Sequence, residues 1–219
     1  MRSRLLSIAA IICMLATLTA VGQTGGAKPF ANPASLKEKA PDVYKVNFDT
    51  TKGAIVIEVH RAWAPNGADR FYNLVKSGFF DDVRFYRVVS NFMVQFGIHG
   101  DPAINQAWAN TQIPDDPMVK ESNRRGYVTF AHAGKNTRTT QLFINFNDNG
   151  SALDPQGFPP IGRVVTGMNI VDKLYSGYGD MAEMRGNGPS SGQMKQLGNA
   201  YLAKSFAKLD YIKKATIEP

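Results

Sequence analysis

Residues 83–97 read Val83-Arg84-Phe85-Tyr86-Arg87-Val88-Val89-Ser90-Asn91-Phe92-Met93-Val94-Gln95-Phe96-Gly97. Runs of β-branched and aromatic residues on either side of Ser90-Asn91 predict two short strands, 83–89 and 92–97, joined by a tight turn. Working outward, Tyr44, Val46 and Phe48 alternate with Lys45, Asn47 and Asp49, the period of a half-buried strand over 43–50. Thr51-Lys52-Gly53 turns the chain, and Ile55, Ile57 and Val59 give 54–60 the same alternation, so the two runs make a hairpin. Ala64-Pro65-Asn66 opens a helix with proline in its first turn. Its apolar stripe is Ala68, Phe71, Leu74 and Val75, and Gly78 is its expected C-terminal cap. Further strands are expected at 126–131, 141–145, 158–165 and 210–217, with a short helix at 168–174 and an extra one over 201–209. About eight short strands with two or three helices predict a mainly β fold. The expected form is a closed eight-stranded antiparallel barrel capped by two helices. Two stretches stand outside this pattern. Residues 98–125 form a long polar connection, the kind that in a compact domain usually serves function. Residues 181–193, rich in Gly and Met, read as a mobile loop.

The chain has 219 residues, of which 43% are hydrophobic and 20% charged, the balance of a packed globular domain. The formal charge of +7 is spread over scattered Lys and Arg, without the clustered basic stripe that nucleic-acid binding needs. Arg2 and Arg4 precede an apolar run from Leu5 to Leu18, with small residues Ala20 and Gly22 before Gln23. That is the pattern of an export signal over 1–22. The run is short for a membrane span, although an uncleaved anchor is the alternative. Cys13, the single cysteine, lies inside this segment and follows Ile12, so neither lipidation nor a disulfide is expected. Residues 23–40, rich in Gly, Ala, Pro and Lys, read as a flexible leader, and 41–219 as one domain. The exported protein is expected in a periplasm or secreted, with a eukaryotic secretory lumen as the alternative, and as a monomer.

Signatures of the commoner chemistries are lacking. His60, His99 and His132 have no metal-ligand spacing. Neither a Gly-x-Ser-x-Gly nor a phosphate-binding loop occurs, so no metal or cofactor is expected. Asp115 and Asp116, in a proline-flanked loop, read as solvated. What stands out is the 83–97 segment together with Thr129-Phe130-Ala131-His132-Ala133-Gly134-Lys135-Asn136-Thr137-Arg138-Thr139-Thr140-Gln141-Leu142-Phe143-Ile144. The spacing Phe-x-Arg-Val…Phe-Met-x-Gln, followed by Ala-x-Ala-Gly-x-Asn-Thr…Gln-x-Phe, resembles the cyclophilins, barrel-shaped peptidyl-prolyl isomerases. The resemblance runs from about residue 43 to 174, with the last strand near Ile217, and includes Gly162-Arg163-Val164-Val165-x-Gly167-Met168.

The resemblance implies an enzyme that rotates X–Pro bonds in exported or unfolded polypeptides. A module that holds proline-containing peptides with little catalysis is the second reading. The chemistry suits this residue set. Rotation about an amide meets a barrier of about 18–20 kcal/mol but breaks no bond, so no nucleophile is needed. A dry pocket and a donor that favours the twisted amide suffice. A gain of about 10⁵ corresponds to roughly 7 kcal/mol. By resemblance Arg87 supplies the donor to the prolyl nitrogen. Phe92, Met93, Phe143 and Leu153 line the proline pocket, and Gln95 bonds the substrate backbone. Ala131 and His132 offer main-chain contacts to the residue before proline, and Gln141 borders the groove. His132 stands where the family commonly has Asn. Where animal cyclophilins carry Trp before Leu153-Asp154 this chain has Ala152, and Phe158 is nearest to the place of a rim His. Those two changes remove a donor and an apolar wall, so weak cyclosporin binding is expected.

Overall fold

The computed structural model describes residues 29–117 and 121–218. The expected signal and residues 23–28 of the expected leader lie outside them. Among the described residues nine strands form one antiparallel sheet: β1 (Val43–Thr50), β2 (Gly53–His60), β3 (Val83–Arg84), β4 (Arg87–Val89), β5 (Met93–Phe96), β6 (Tyr127–Phe130), β7 (Leu142–Asn145), β8 (Pro160–Thr166) and β9 (Tyr211–Ile217). Their order is β3-β9-β1-β2-β8-β6-β7-β5-β4. The two edge strands, β3 and β4, are consecutive along the chain, separated only by Phe85 and Tyr86. The sheet therefore curls until its edges meet in one covalent run. The single strand expected over 83–89 is broken there because the Phe85 N–H donates to Asp210 O while β4 turns to pair with β5.

The barrel interior follows from strand alternation. Val88, Val94, Ile144 and Val128 are successive cross-strand neighbours across β4, β5, β7 and β6, and all point inward. Phe48 packs edge-on against Phe71 at 6.1 Å and Phe96 at 5.7 Å, arrangements that aromatic quadrupoles favour. Helix α1 (Pro65–Ser77) contributes Ala68, Phe71, Leu74 and Val75 to this core, as its stripe predicts. Its C-cap Gly78 takes the left-handed φ of +82° that favours glycine. The N-terminus of α1 is closed from the long 98–125 connection. The Asp116 carboxylate accepts from Asn66 N–H at 2.7 Å and Gly67 N–H at 2.9 Å, and pairs with Arg138 Nη1 at 2.8 Å. Asp116 is thus buried rather than solvated, since a helix start and a cation converge on it.

Four further helices are short or broken. They are α2 (Pro102–Trp108), α3 (Gly150–Leu153), α4 (Met168–Val171) and α5 (Ser191–Ser205), the last interrupted at Gly198. Helix α2 lies inside the stretch expected to be polar connection, capped by Asp101, whose side chain accepts from Ala103 N–H. Helices α2 and α5 pack on each other, and α5 builds a second small core, with Met194 and Leu202 against Tyr86, Ile98, Met181 and Leu209. The expected leader also differs in its second half. Residues 29–40 lie on the barrel: Phe30 is buried, its carbonyl accepts from Trp108 Nε1, and Ala40 N–H donates to Asp69. An aromatic side chain with an apolar site to enter outweighs the local Gly and Pro content. No helix among the described residues is long and apolar enough to cross a membrane.

Candidate active site

The register that sends Val88, Val94 and Ile144 inward sends their neighbours outward. Arg87 on β4, Gln95 on β5 and Phe143 on β7 are direct cross-strand partners, a row across the outer face of the sheet. Met93 shares that face, and with Phe143 and Leu153 it forms a small apolar cluster outside the barrel core. Val89, Phe92, Ala131 and Phe158 pack around it. All ten expected site residues, Arg87, Phe92, Met93, Gln95, Ala131, His132, Gln141, Phe143, Leu153 and Phe158, line one groove of about 390 Å³. Arg87 is paired, and the apolar side chains are largely covered, yet all border the same open space.

Polar contacts order the groove. Arg87 Nη1 donates to Gln95 Oε1 at 2.9 Å, and its guanidinium lies 5.9 Å from the Phe92 ring centroid. Gln95 Nε2 donates to Gln141 Oε1 at 3.2 Å, which also accepts from the Tyr86 hydroxyl at 2.7 Å. Burial pushes the Tyr86 phenol well up, so it stays a donor. On the other side of Arg87, Nε and Nη2 donate to the two Asp180 carboxylate oxygens at 2.7 and 3.2 Å. A guanidinium has five N–H groups. These three bonds leave two without a partner among the described residues, beside the apolar cluster.

The opposite rim is held from below. Asn123, fully buried, accepts from Thr129 Oγ1 at 2.8 Å and donates to Asp154 Oδ1 at 2.8 Å and to the Phe158 carbonyl at 2.7 Å. Burial alone would raise the Asp154 carboxyl, but hydrogen bonds from Ser122 and Asn123 outweigh it and hold the group below its usual range. These bonds fix the turn that carries Leu153 and Phe158. The Phe158 ring stacks on His132 at 3.9 Å. His132 Nδ1 accepts from Gly134 N–H at 3.1 Å, which leaves the proton on Nε2, 3.2 Å from the Gly157 carbonyl. Ala152 is exposed and does not border the groove.

Sequence reasoning missed Asn123 and Asp180, single polar residues in connections with no periodicity to mark them. It also missed Met181, Met184 and Lys195, which bring the segment before α5 and α5 itself to the groove. The described residues contain no group of His, Cys, Asp and Glu that could hold a metal ion.

An arginine beside an apolar cleft on the outer face of a curled β-barrel defines a class. Residues 45–191 match the family model described as cyclophilin type peptidyl-prolyl cis-trans isomerase/CLD. Peptidyl-prolyl cis-trans isomerase B of Escherichia coli is 32% identical over 136 residues, covering 59% of this chain and 82% of that protein. Peptidyl-prolyl cis-trans isomerase-like 1 of Rhizopus delemar is 34% identical over 136 residues, covering 59% and 79%. Among solved structures, a cyclophilin type isomerase of Cryptosporidium parvum aligns with a TM-score of 0.58 at 18% identity, over 81% of this chain and 98% of that one. The chain belongs to the cyclophilin-type peptidyl-prolyl cis-trans isomerases. It is an isomerase of X–Pro peptide bonds.

Proposed function

We propose that the groove is where the X–Pro bond turns and that Arg87 is its catalytic residue. The proline ring sits on Met93, Phe143, Leu153 and Phe92, which exclude water from it. Gln95 and Gln141 bond the substrate backbone, and the main chain of Ala131 and His132 holds the residue before proline. As the amide twists, conjugation is lost and the prolyl nitrogen regains a lone pair, and a free Arg87 N–H donates to it. Neither planar isomer offers that acceptor, so the bond favours the transition state alone. The observation that carries this reading is the cross-strand row Arg87–Gln95–Phe143, which sets donor, amide and apolar wall side by side. Phe143→Ala tests it on a short Ala-Pro-Phe peptide. Removing the pocket floor should raise KM about tenfold or more, as loss of a buried aromatic contact does. An unchanged KM contradicts the pocket assignment.

The finer setting belongs to the same proposal. Residues 1–22 act as an export signal, and the domain acts as a monomer in a periplasm or secreted, on proline-containing segments of exported or unfolded chains. The charged-apolar-small order of residues 2–22 supports export. Neither stable membrane insertion after cleavage nor nucleic-acid binding is part of the reading. Cyclosporin binds weakly, since Ala152 supplies no indole and the Phe158 ring is engaged with His132.

A further inference from the structure

We propose that Asp180 is a positioning residue for the reaction, holding the Arg87 guanidinium in the groove by a two-point ion pair. The proposal rests on the role given to Arg87 above. Arg87 needs an outside hold. It begins β4, a three-residue strand at the edge of the sheet, and a long side chain there has many rotamers to choose from. Gln95 gives it one hydrogen bond. Asp180 gives it two, on adjacent nitrogens of the planar fork, which fixes the plane as well as the position. The guanidinium that carries the two donors left over is then held 5.9 Å from the Phe92 ring, which packs against the apolar cluster.

The chain around Asp180 is built to keep that carboxylate in place. Its Oδ1 also accepts from Met181 N–H at 2.7 Å, and its carbonyl accepts from Gly188 N–H at 2.8 Å. Gly186 and Gly188 pass so close that a Cβ on them would lie 2.1 and 2.6 Å from the Asp180 carbonyl oxygen, so only glycine fits. The preceding Gly179 carbonyl accepts from Val88 N–H at 3.3 Å, which ties the turn to the strand that carries Arg87. Beneath it, Met181 packs with Tyr86, the residue before Arg87, in the second core. The glycine-rich segment 177–188 is therefore a mount for one carboxylate, tied to the Tyr86 side chain and to the backbone N–H of Val88 on either side of Arg87.

A purely structural ion pair makes a different prediction, and a double-mutant cycle separates the two. In Asp180→Asn an amide N–H₂ replaces one acceptor and the charge is lost. We expect kcat on the Ala-Pro-Phe peptide to fall by roughly ten- to a hundredfold, the usual result of misplacing a reacting group. KM should stay within about twofold. In an Arg87→Ala background the same substitution should cost nothing further, because nothing remains to be positioned. Wild-type kcat in Asp180→Asn, a faster enzyme, or an equal loss with and without Arg87 each overturns the proposal while leaving Arg87 in its role. An Arg87→Ala protein as fast as wild type removes the role of Arg87 and this proposal with it. If Asp180→Asn does not fold, Asp180→Ser carries the same cycle with the same outcomes.

Discussion

At the scale of single residues, the site divides by how a side chain announces itself. Arg87, Gln95 and Phe143 were legible because strand alternation puts every second residue on one face and the family spacing marks which face matters. Asn123 and Asp180 were not, since a lone polar residue in a loop carries no periodic signal; only the fold brings Asn123 under Phe158 and Asp180 against Arg87. Asp116 illustrates the same limit. Its neighbours in sequence suggest solvent, and its neighbours in space are a helix start and an arginine. The rim makes a prediction at this scale. With no indole donor at position 152 and with Phe158 stacked on His132, titration with cyclosporin should give an affinity far weaker than nanomolar. Nanomolar binding would mean that the rim re-forms around the ligand and that the two substitutions do not govern it.

At the scale of elements, β1, β2, α1 and β9 lie close to where alternation and turn chemistry put them. The segment before α5 does not behave as its Gly and Met content suggests. Ala182–Met184 forms one 3₁₀ turn. Glu183 reaches from it to the start of α5, accepting from Ser190 Oγ at 2.8 Å and Ser191 N–H at 2.7 Å. This contact adds to the local cap, in which Ser190 Oγ accepts from Gln193 N–H at 3.4 Å, and it leaves no sequence signature of its own. Burial raises the Glu183 carboxyl, but hydrogen bonds from its own N–H, Ser190 and Ser191 together outweigh it and bring it down to about 2 from 4.5. A depressed folded value means that the ionised cap stabilises above the unfolded value and that this contribution is lost as pH falls from about 4.5 to about 2. Glu183→Gln should therefore melt below wild type at neutral pH, and the gap should close across that window. A gap independent of pH would show that packing, not the charged cap, sets the difference.

At the scale of the whole molecule, the barrel was legible and its additions were not. Eight strands read as a closed ring come out as nine, because one expected strand splits to pass from one edge of the sheet to the other. The strap at 29–40 and the α2–α5 body are held together by contacts between residues far apart in the chain, such as Phe30 with Trp108 and Asn199 N–H with the Gly100 carbonyl. Long-range pairs of this kind leave no trace in local pattern. Both additions lie beside the barrel rather than within it, and the second brings Asp180, Met181, Met184 and Lys195 to the groove. The central claim is that Arg87 acts on the twisted amide and little on either planar form. The most direct test is the cis-to-trans exchange of an Ala-Pro-Phe peptide, with kcat and KM measured separately for wild type and Arg87→Ala. The account predicts a kcat lower by about a hundredfold or more at nearly unchanged KM. A rise in KM at unchanged kcat would contradict it, because Arg87 would then bind the ground state and the twisted state alike.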